Sequence, residues 1–190
     1  MPFNIPNSLT WARIALIPFF VGIYYVPDHV ITPDEKNLAA TLTFIVAAVT
    51  DWFDGYLARS LGQTSAFGAF LDPVADKLMV TAALIVLVHL GRVDSLIALV
   101  IIGREITISA LREWMAKVGA AGSVAVAFVG KLKTAAQMSA IPLLLFEGPV
   151  FGIDSVGWGT LLIYIAAVLT LWSMGYYMRC AWPELMKRSR

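Results

Sequence analysis

Six long apolar stretches follow one another along the chain, separated by short turn-prone or charged stretches. They cover residues 8–26, 38–59, 70–91, 93–114, 123–147 and 157–179. Each is close to the roughly 20 residues that a helix needs to cross a membrane. Residues 158–178, in the last stretch, contain no charged side chain. The pattern predicts an all-α, polytopic membrane protein with six transmembrane helices and a short N-terminal amphipathic segment at residues 2–9.

The composition agrees with a chain whose solvent is largely lipid. Of the 190 residues, 59% are hydrophobic and 14% are charged, and the mean hydropathy is +0.77. A soluble domain carries about 25% charged residues, so a soluble fold could not cover this much apolar surface. The net charge of +1 gives no indication of nucleic acid binding. No long linker or internal repeat is visible, and residues 1–190 are interpreted as a single domain.

Lysine and arginine are distributed unequally between the two ends of the predicted helices. With the N-terminus inside, only Lys36 and Arg92 of the 14 basic residues fall on the outer face, which leaves 12 for the inner face. Cytoplasmic loops carry an excess of Lys and Arg. The bias therefore predicts six spans with both chain termini in the cytoplasm.

Four aspartates, Asp51, Asp54, Asp72 and Asp76, lie in or beside the second and third apolar stretches. The spacings i, i+3 and i, i+4 put each pair on one helix face. Because a short turn at residues 60–65 joins the two helices, all four carboxylates are expected to converge at their cytoplasmic ends. Carboxylates at membrane depth are costly and usually functional. With no His or Cys nearby, oxygen ligands favour two Mg²⁺ or Mn²⁺ ions over zinc.

The stretch from Asp51 to Asp76 reads Asp-x2-Asp-Gly-x2-Ala-Arg-x8-Gly-x3-Asp-x3-Asp. It resembles the complete signature of the CDP-alcohol phosphotransferase family, with every fixed position present. The resemblance implies a six-helix membrane enzyme, usually a homodimer, that releases CMP. It also implies that the four aspartates hold two divalent metal ions and that Asp76 is the general base for the acceptor hydroxyl.

The resemblance also implies a site for the cytidine diphosphate part of CDP-diacylglycerol. The signature residues that would line it are Gly55, Ala58, Arg59 and Gly68. Ser65, in the connecting turn, is a candidate contact to the pyrophosphate. Asn7 and Thr10, near the start of the first helix, are candidates for contacting the nucleotide or for capping the helix. Arg59 suits phosphate binding, although it could also be an anchor at the cytoplasmic face.

Segments outside the signature resemble bacterial members of the family that use glycerol 3-phosphate; they cover residues 3–13, 103–116 and 130–138. Arg104 and Arg112 are eight residues apart, about 80° around a helix, so both can border one pocket. Lys131 and Lys133 point in nearly opposite directions, and Lys131 is favoured as the one that faces the site. We predict that Arg104, Arg112 and Lys131 bind the acceptor phosphate. The alternative is that these charges only set the topology.

Several alternatives remain at this point. The aspartates could form a structural salt-bridge network with Arg59 and Lys77. Inositol phosphate could replace glycerol 3-phosphate, since a basic pocket fits either. A membrane prenyltransferase or an ion-coupled transporter also uses intramembrane aspartates, although such transporters usually show internal repeats. The resemblance favours a phosphatidyltransferase in the bacterial inner (cytoplasmic) membrane, with its active site facing the cytoplasm.

Overall fold

A computed structural model describes residues 5–60, 66–117, 119, 128–150 and 152–188 of the chain. Within these ranges, some side chains lie outside the description; they belong to residues 5–7, 9, 52, 54–60, 66–70, 150, 153, 184, 185, 187 and 188.

Six helices make up most of the described chain. They are α1 (Ile5–Ile23), α2 (Pro33–Ser60), α3 (Ala66–His89), α4 (Ser95–Lys117), α5 (Phe128–Phe146) and α6 (Ser155–Arg188). Between α5 and α6, the two-residue strands β1 (Pro149–Val150) and β2 (Ile153–Asp154) form a small antiparallel hairpin. The prediction of an all-α protein with six helices is therefore confirmed over the described residues.

The helix boundaries differ from the predicted ones. Residues 5–9 are the first turns of α1 and not a separate amphipathic segment. Helix α2 begins at Pro33 and not at residue 38, because Thr32 and Glu35 form a capping box. The Thr32 hydroxyl accepts the Glu35 N–H at 3.4 Å, and the Glu35 carboxylate accepts the Thr32 N–H at 2.9 Å. The hydrogen bonds from Thr32 also lower the pKa of the Glu35 carboxyl.

Helix α3 ends in a turn that requires glycine. Gly91 has φ +70°, a region that L side chains avoid. Its N–H donates to the Val88 carbonyl at 3.0 Å, and the Arg92 N–H donates to the Leu87 carbonyl at 2.9 Å. This is the Schellman pattern of helix termination, and it directs the chain from α3 into α4.

The main hydrophobic core brings all six helices together. Its fully or almost fully buried side chains include Phe20, Phe44, Leu84, Leu87, Ile101, Ile141, Leu144 and Ile163. A second, smaller cluster joins α4 to α6 and consists of Ile108, Met115, Tyr177 and Ala181. This second cluster holds α4 against α6 at the end of the bundle where the aspartates lie.

Helices α5 and α6 pack tightly at Gly159. A Cβ atom there would lie 2.8 Å from Leu144 Cγ, and Leu144 is fully buried. We expect Gly159→Ala to destabilise the fold by about 1–3 kcal/mol, because overpacking forces buried side chains out of their preferred positions. Thermal unfolding in detergent measures the loss. Gly175→Ala, on the same helix, is the control, since no described atom lies within 4 Å of its Cβ position; equal effects of the two substitutions would contradict the packing explanation.

Arg92 joins three segments at the end of the bundle opposite the aspartates. It donates to the carbonyls of residues 144–145 at 3.1 and 2.8 Å and to Asn37 Oδ1 at 2.9 Å. It also forms an ion pair with Glu147. A cation at a helix C-terminus satisfies carbonyls that have no partner within the helix. This predicted outer-face cation therefore has a structural role.

One helical segment among the described residues, Ser155–Pro183, is long and apolar enough to cross a membrane. The segment Thr10–Ile23 is apolar but shorter. The intervening helices α2 to α5 carry charged residues within their length, such as Asp51, Asp76 and Arg104. Length and composition therefore do not confirm six membrane spans, and the six-span topology stays a prediction.

Candidate active site

Two polar side chains of α1 bind the aspartates of α2 and α3. Thr10 Oγ1 donates to Asp72 Oδ1 at 2.6 Å, and Arg13 forms an ion pair with Asp51. Thr10 and Arg13 are each only 1% exposed. Their i, i+3 spacing puts them on one face of α1. Helix α1 therefore holds two aspartates of the signature from one side.

These contacts bear on two of the sequence-based interpretations, and the side chain of Arg59, one partner in the alternative salt-bridge network, lies outside the description. Thr10 is not a helix cap, because α1 begins at Ile5 and the Thr10 hydroxyl binds a carboxylate of another helix. The described ion pairs join Asp51 to Arg13, and none of them joins an aspartate to Lys77. The sequence did contain a signal for this contact, since a threonine and an arginine share one face of a helix whose remaining length, residues 14–23, is apolar.

Asp51 and Asp76, from different helices, line one cavity, here called the carboxylate cavity. Arg13 forms part of its wall, and the remaining lining side chains are mostly apolar: Phe44, Ala47, Ala48, Met79, Val80 and Met138. Asp76 also lines a second cavity on its other side. Asp76 therefore separates the carboxylate cavity from a cavity that is lined by residues of α4 and α5.

The second cavity, here called the Asp76 cavity, has a volume of about 50 Å³. Its polar wall consists of Asp76, Lys77, Glu105, Lys133, Thr134 and Gln137. Lys133 is 3% exposed and forms an ion pair with Glu105. Glu105 also accepts a hydrogen bond from Arg104 Nη1 at 3.1 Å. This network joins α4 to α5 directly beside Asp76.

A third cavity, here called the cation cavity, has a volume of about 380 Å³. It is lined by the three residues predicted to bind the acceptor phosphate, Arg104, Arg112 and Lys131. Lys133, the lysine that the sequence analysis did not favour, lines the Asp76 cavity. The sequence analysis expected only one of the two lysines to face the acceptor site. Each of them lines a cavity, because the Asp76 cavity and the cation cavity both border α5.

Tyr177 of α6 orients both arginines of the cation cavity. Its ring centroid lies 5.6 Å from Arg104 Cζ and 5.1 Å from Arg112 Cζ, within the range of cation–π attraction. The Tyr177 hydroxyl accepts a hydrogen bond from Arg112 Nη2 at 3.0 Å. Arg104 also donates to Ser173 Oγ at 3.1 Å. Sequence reasoning missed Tyr177, because no local pattern links it to residues of α4.

The Asp76 cavity and the cation cavity share a wall. Glu105 and Thr134 line both of them. The two cavities are therefore neighbours, with the arginines on one side of these two residues and Asp76 on the other. Cavities with a few polar groups at fixed positions are typical of sites that orient a small substrate.

The donor chemistry of the signature fits a hard divalent cation, since Asp51, Asp72 and Asp76 offer only carboxylate oxygens. Among the side chains that the structure describes, no group of three His, Cys, Asp or Glu lies close enough together to hold a metal ion. The fourth predicted ligand, Asp54, lies outside the described side chains. The metal-binding role of the four aspartates therefore stays a prediction.

Most of the predicted nucleotide site also falls outside the described side chains. This applies to Asn7, Gly55, Ala58, Arg59 and Gly68, and Ser65 lies outside the described residues altogether. Thr10 is the exception, and its hydroxyl faces Asp72. Its predicted contact with the nucleotide would therefore be made next to the carboxylates.

Comparisons with known proteins identify the family. The family model for CDP-alcohol phosphatidyltransferases matches residues 3–172. The chain is 52% identical to a CDP-diacylglycerol–glycerol-3-phosphate 3-phosphatidyltransferase of Pectobacterium atrosepticum, over 98% of this chain and 100% of the relative. Proteins of the same name from Escherichia coli K12 and Yersinia enterocolitica are 50% and 49% identical, over 98% of this chain and at least 99% of each relative. The chain therefore belongs to the CDP-alcohol phosphatidyltransferase family.

Proposed function

We propose that the chain transfers the phosphatidyl group from CDP-diacylglycerol to glycerol 3-phosphate and produces phosphatidylglycerol phosphate and CMP. The observation that carries the proposal is the wall shared by the cation cavity and the Asp76 cavity, formed by Glu105 and Thr134. This arrangement matches a small acceptor with a phosphate at one end and a hydroxyl at the other. The names of the half-identical relatives support the same donor and acceptor.

The acceptor phosphate binds in the cation cavity. Arginine presents a planar set of donors that fits phosphate oxygens, and Tyr177 restrains both guanidinium groups before the acceptor arrives. Lys131 adds a third positive charge to the cavity. Three cations and one carboxylate, that of Glu105, line this cavity. The excess of positive charge favours a phosphorylated acceptor over zwitterionic serine or cationic choline.

Asp76 is the general base of the proposed reaction. It takes the proton from the primary hydroxyl of glycerol 3-phosphate, and the oxygen then attacks the phosphorus that carries diacylglycerol. A new P–O bond forms to glycerol 3-phosphate while the P–O bond to CMP breaks, and CMP leaves with the electron pair. Transfer of this kind depends mainly on positioning and charge stabilisation.

Two Mg²⁺ (or Mn²⁺) ions, held by Asp51, Asp54, Asp72 and Asp76, would neutralise the charge of the donor pyrophosphate. Arg13 and Thr10 set the positions of Asp51 and Asp72, which supports their assignment as ligands. The nucleotide would lie beside them, against Asn7, Thr10, Gly55, Ala58, Arg59, Ser65 and Gly68.

The proposed setting is the bacterial inner membrane, with six spans, the active site on the cytoplasmic side and a homodimeric assembly. Large apolar side chains are exposed along several helices, including Leu42 and Val49 of α2, Leu99 of α4, and Val168 and Trp172 of α6. Exposed apolar surface of this extent marks contact with lipid or with another chain. It supports membrane insertion of helices that are too polar to be recognised by composition.

The test is CMP release by the purified protein in detergent with CDP-diacylglycerol and Mg²⁺. We expect release with glycerol 3-phosphate and none with inositol phosphate, with serine or without acceptor. Release with a different acceptor would support CDP-diacylglycerol as the donor and would overturn the assignment of glycerol 3-phosphate as the acceptor. No release from folded, metal-loaded protein would overturn the proposed reaction.

A further inference from the structure

Gln137 of α5 is a buried polar side chain that the proposed steps leave unused. It is 4% exposed and lines the Asp76 cavity. Its Oε1 atom is buried and has no hydrogen-bond partner in the described part of the protein. A buried polar atom without a partner costs free energy, and such atoms are rare in folded proteins. Its place in a cavity beside Asp76 points to a ligand as the missing partner.

Lys133 offers the complementary group in the same cavity. It lies four residues before Gln137, so the two side chains share one face of α5. Its ammonium group has three N–H donors, and its described ion pair is with Glu105. Gln137 therefore supplies an acceptor and Lys133 a donor to one small space. A hydroxyl group, which both donates and accepts, satisfies both at once.

We propose that Gln137, with Lys133 beside it, recognises the non-reacting secondary hydroxyl of a phosphorylated polyol acceptor; this inference rests on the proposed function. With the phosphate in the cation cavity and the reacting hydroxyl at Asp76, the carbon between them lies along the shared wall at Glu105 and Thr134. The secondary hydroxyl on that carbon donates to Gln137 Oε1 and accepts from Lys133 Nζ. The cavity volume of about 50 Å³ has room for a few water-sized groups.

This arrangement makes Gln137 a specificity-determining residue. A site built to hydrogen-bond a substrate hydroxyl rejects an analogue that lacks it, because the buried polar groups then stay unpaired. The matching analogue of glycerol 3-phosphate is 3-hydroxypropyl phosphate, which keeps the phosphate and the primary hydroxyl but has no secondary hydroxyl. The wild-type protein is expected to use it at least about tenfold less efficiently, as judged by kcat/KM.

The experiment compares CMP release by the wild-type protein and Gln137→Met with both acceptors. Methionine has a similar length and removes the carboxamide. We expect Gln137→Met to lower kcat/KM about tenfold for glycerol 3-phosphate, the size of one lost hydrogen bond to a buried group. For 3-hydroxypropyl phosphate, kcat/KM should be unchanged. Ser139→Ala, at an exposed position of the same helix, is the matched control and should leave both values unchanged.

A second readout does not depend on turnover. Glycerol 3-phosphate should raise the melting temperature of the wild-type protein more than 3-hydroxypropyl phosphate does, and the difference should disappear in Gln137→Met. Equal use of both acceptors by the wild-type protein, or an equal loss with both in Gln137→Met, would overturn the inference while the proposed function stands. Absence of CMP release with either acceptor would remove the proposed function and the inference together.

Discussion

Asp76→Asn should lower CMP release by at least about a thousandfold, within the range of a lost general base. The amide keeps the size of the carboxylate but cannot take the proton of the acceptor hydroxyl. Asp76 borders both the carboxylate cavity and the cavity next to the cation cavity, so a single substitution affects the point where donor and acceptor meet. The measurement is the rate of CMP release with saturating CDP-diacylglycerol, glycerol 3-phosphate and Mg²⁺.

Asp94→Asn is the matched control for this substitution. Asp94 caps α4 at the opposite end of the bundle and accepts the Leu96 N–H at 2.8 Å, a role that asparagine performs equally well. Its activity should therefore equal that of the wild-type protein. Both variants should retain the wild-type melting temperature to within a few degrees. Substantial CMP release by a folded Asp76→Asn protein would contradict the assignment of the base.

Arg112→Gln should raise the KM for glycerol 3-phosphate about 10- to 100-fold, the range expected for one lost hydrogen bond to a charged group. Arg112 is exposed towards the cation cavity and is held by the Tyr177 hydroxyl at 3.0 Å. The phosphate does not change charge during the reaction, so its binding is the same in the ground state and the transition state. We therefore expect kcat to change little, as measured by initial rates at varied acceptor concentration.

Two further variants serve as comparisons for Arg112→Gln. Arg112→Lys should have an intermediate KM, because lysine retains the charge but loses the planar set of donors. Lys117→Ala should be nearly silent, since Lys117 forms an exposed pair with Glu113 at 2.8 Å and such surface pairs contribute little. A large KM increase in Lys117→Ala, or none in Arg112→Gln, would show that the acceptor phosphate binds elsewhere.

The relative positions of Arg104 and Arg112 were predictable because their spacing is local, and the same reasoning applies to the aspartate pairs. Asp72 and Asp76 share a helix face by periodicity alone, and eight residues bring Arg104 and Arg112 to the same side of α4. Over the described residues, Arg104 and Arg112 do line one cavity. The helix ends were less predictable, since the capping box at Thr32 and Glu35 extends α2 beyond its apolar stretch.

The partners of these residues could not be predicted, because they come from distant parts of the chain. Thr10 meets Asp72 across 62 positions, and Arg112 meets Tyr177 across 65. Lys133 meets Glu105 across 28 positions. Only the packing of α1 against α2 and α3, of α4 against α6 and of α5 beside α4 creates these pairs. The periodicity of side chains along one helix does not predict which residues of another helix they will contact.

The sequence by itself determined the six helices, the family signature and the excess of basic residues at one end of the helices. These features follow from composition and from local spacing, which act within one helix. The tertiary structure decided which side chains share a cavity, since the shared wall at Glu105 and Thr134 and the unpartnered Gln137 arise only after α3, α4 and α5 have packed together. The physical reason is that a helix sets the direction of its own side chains, whereas a cavity is the space left between several helices.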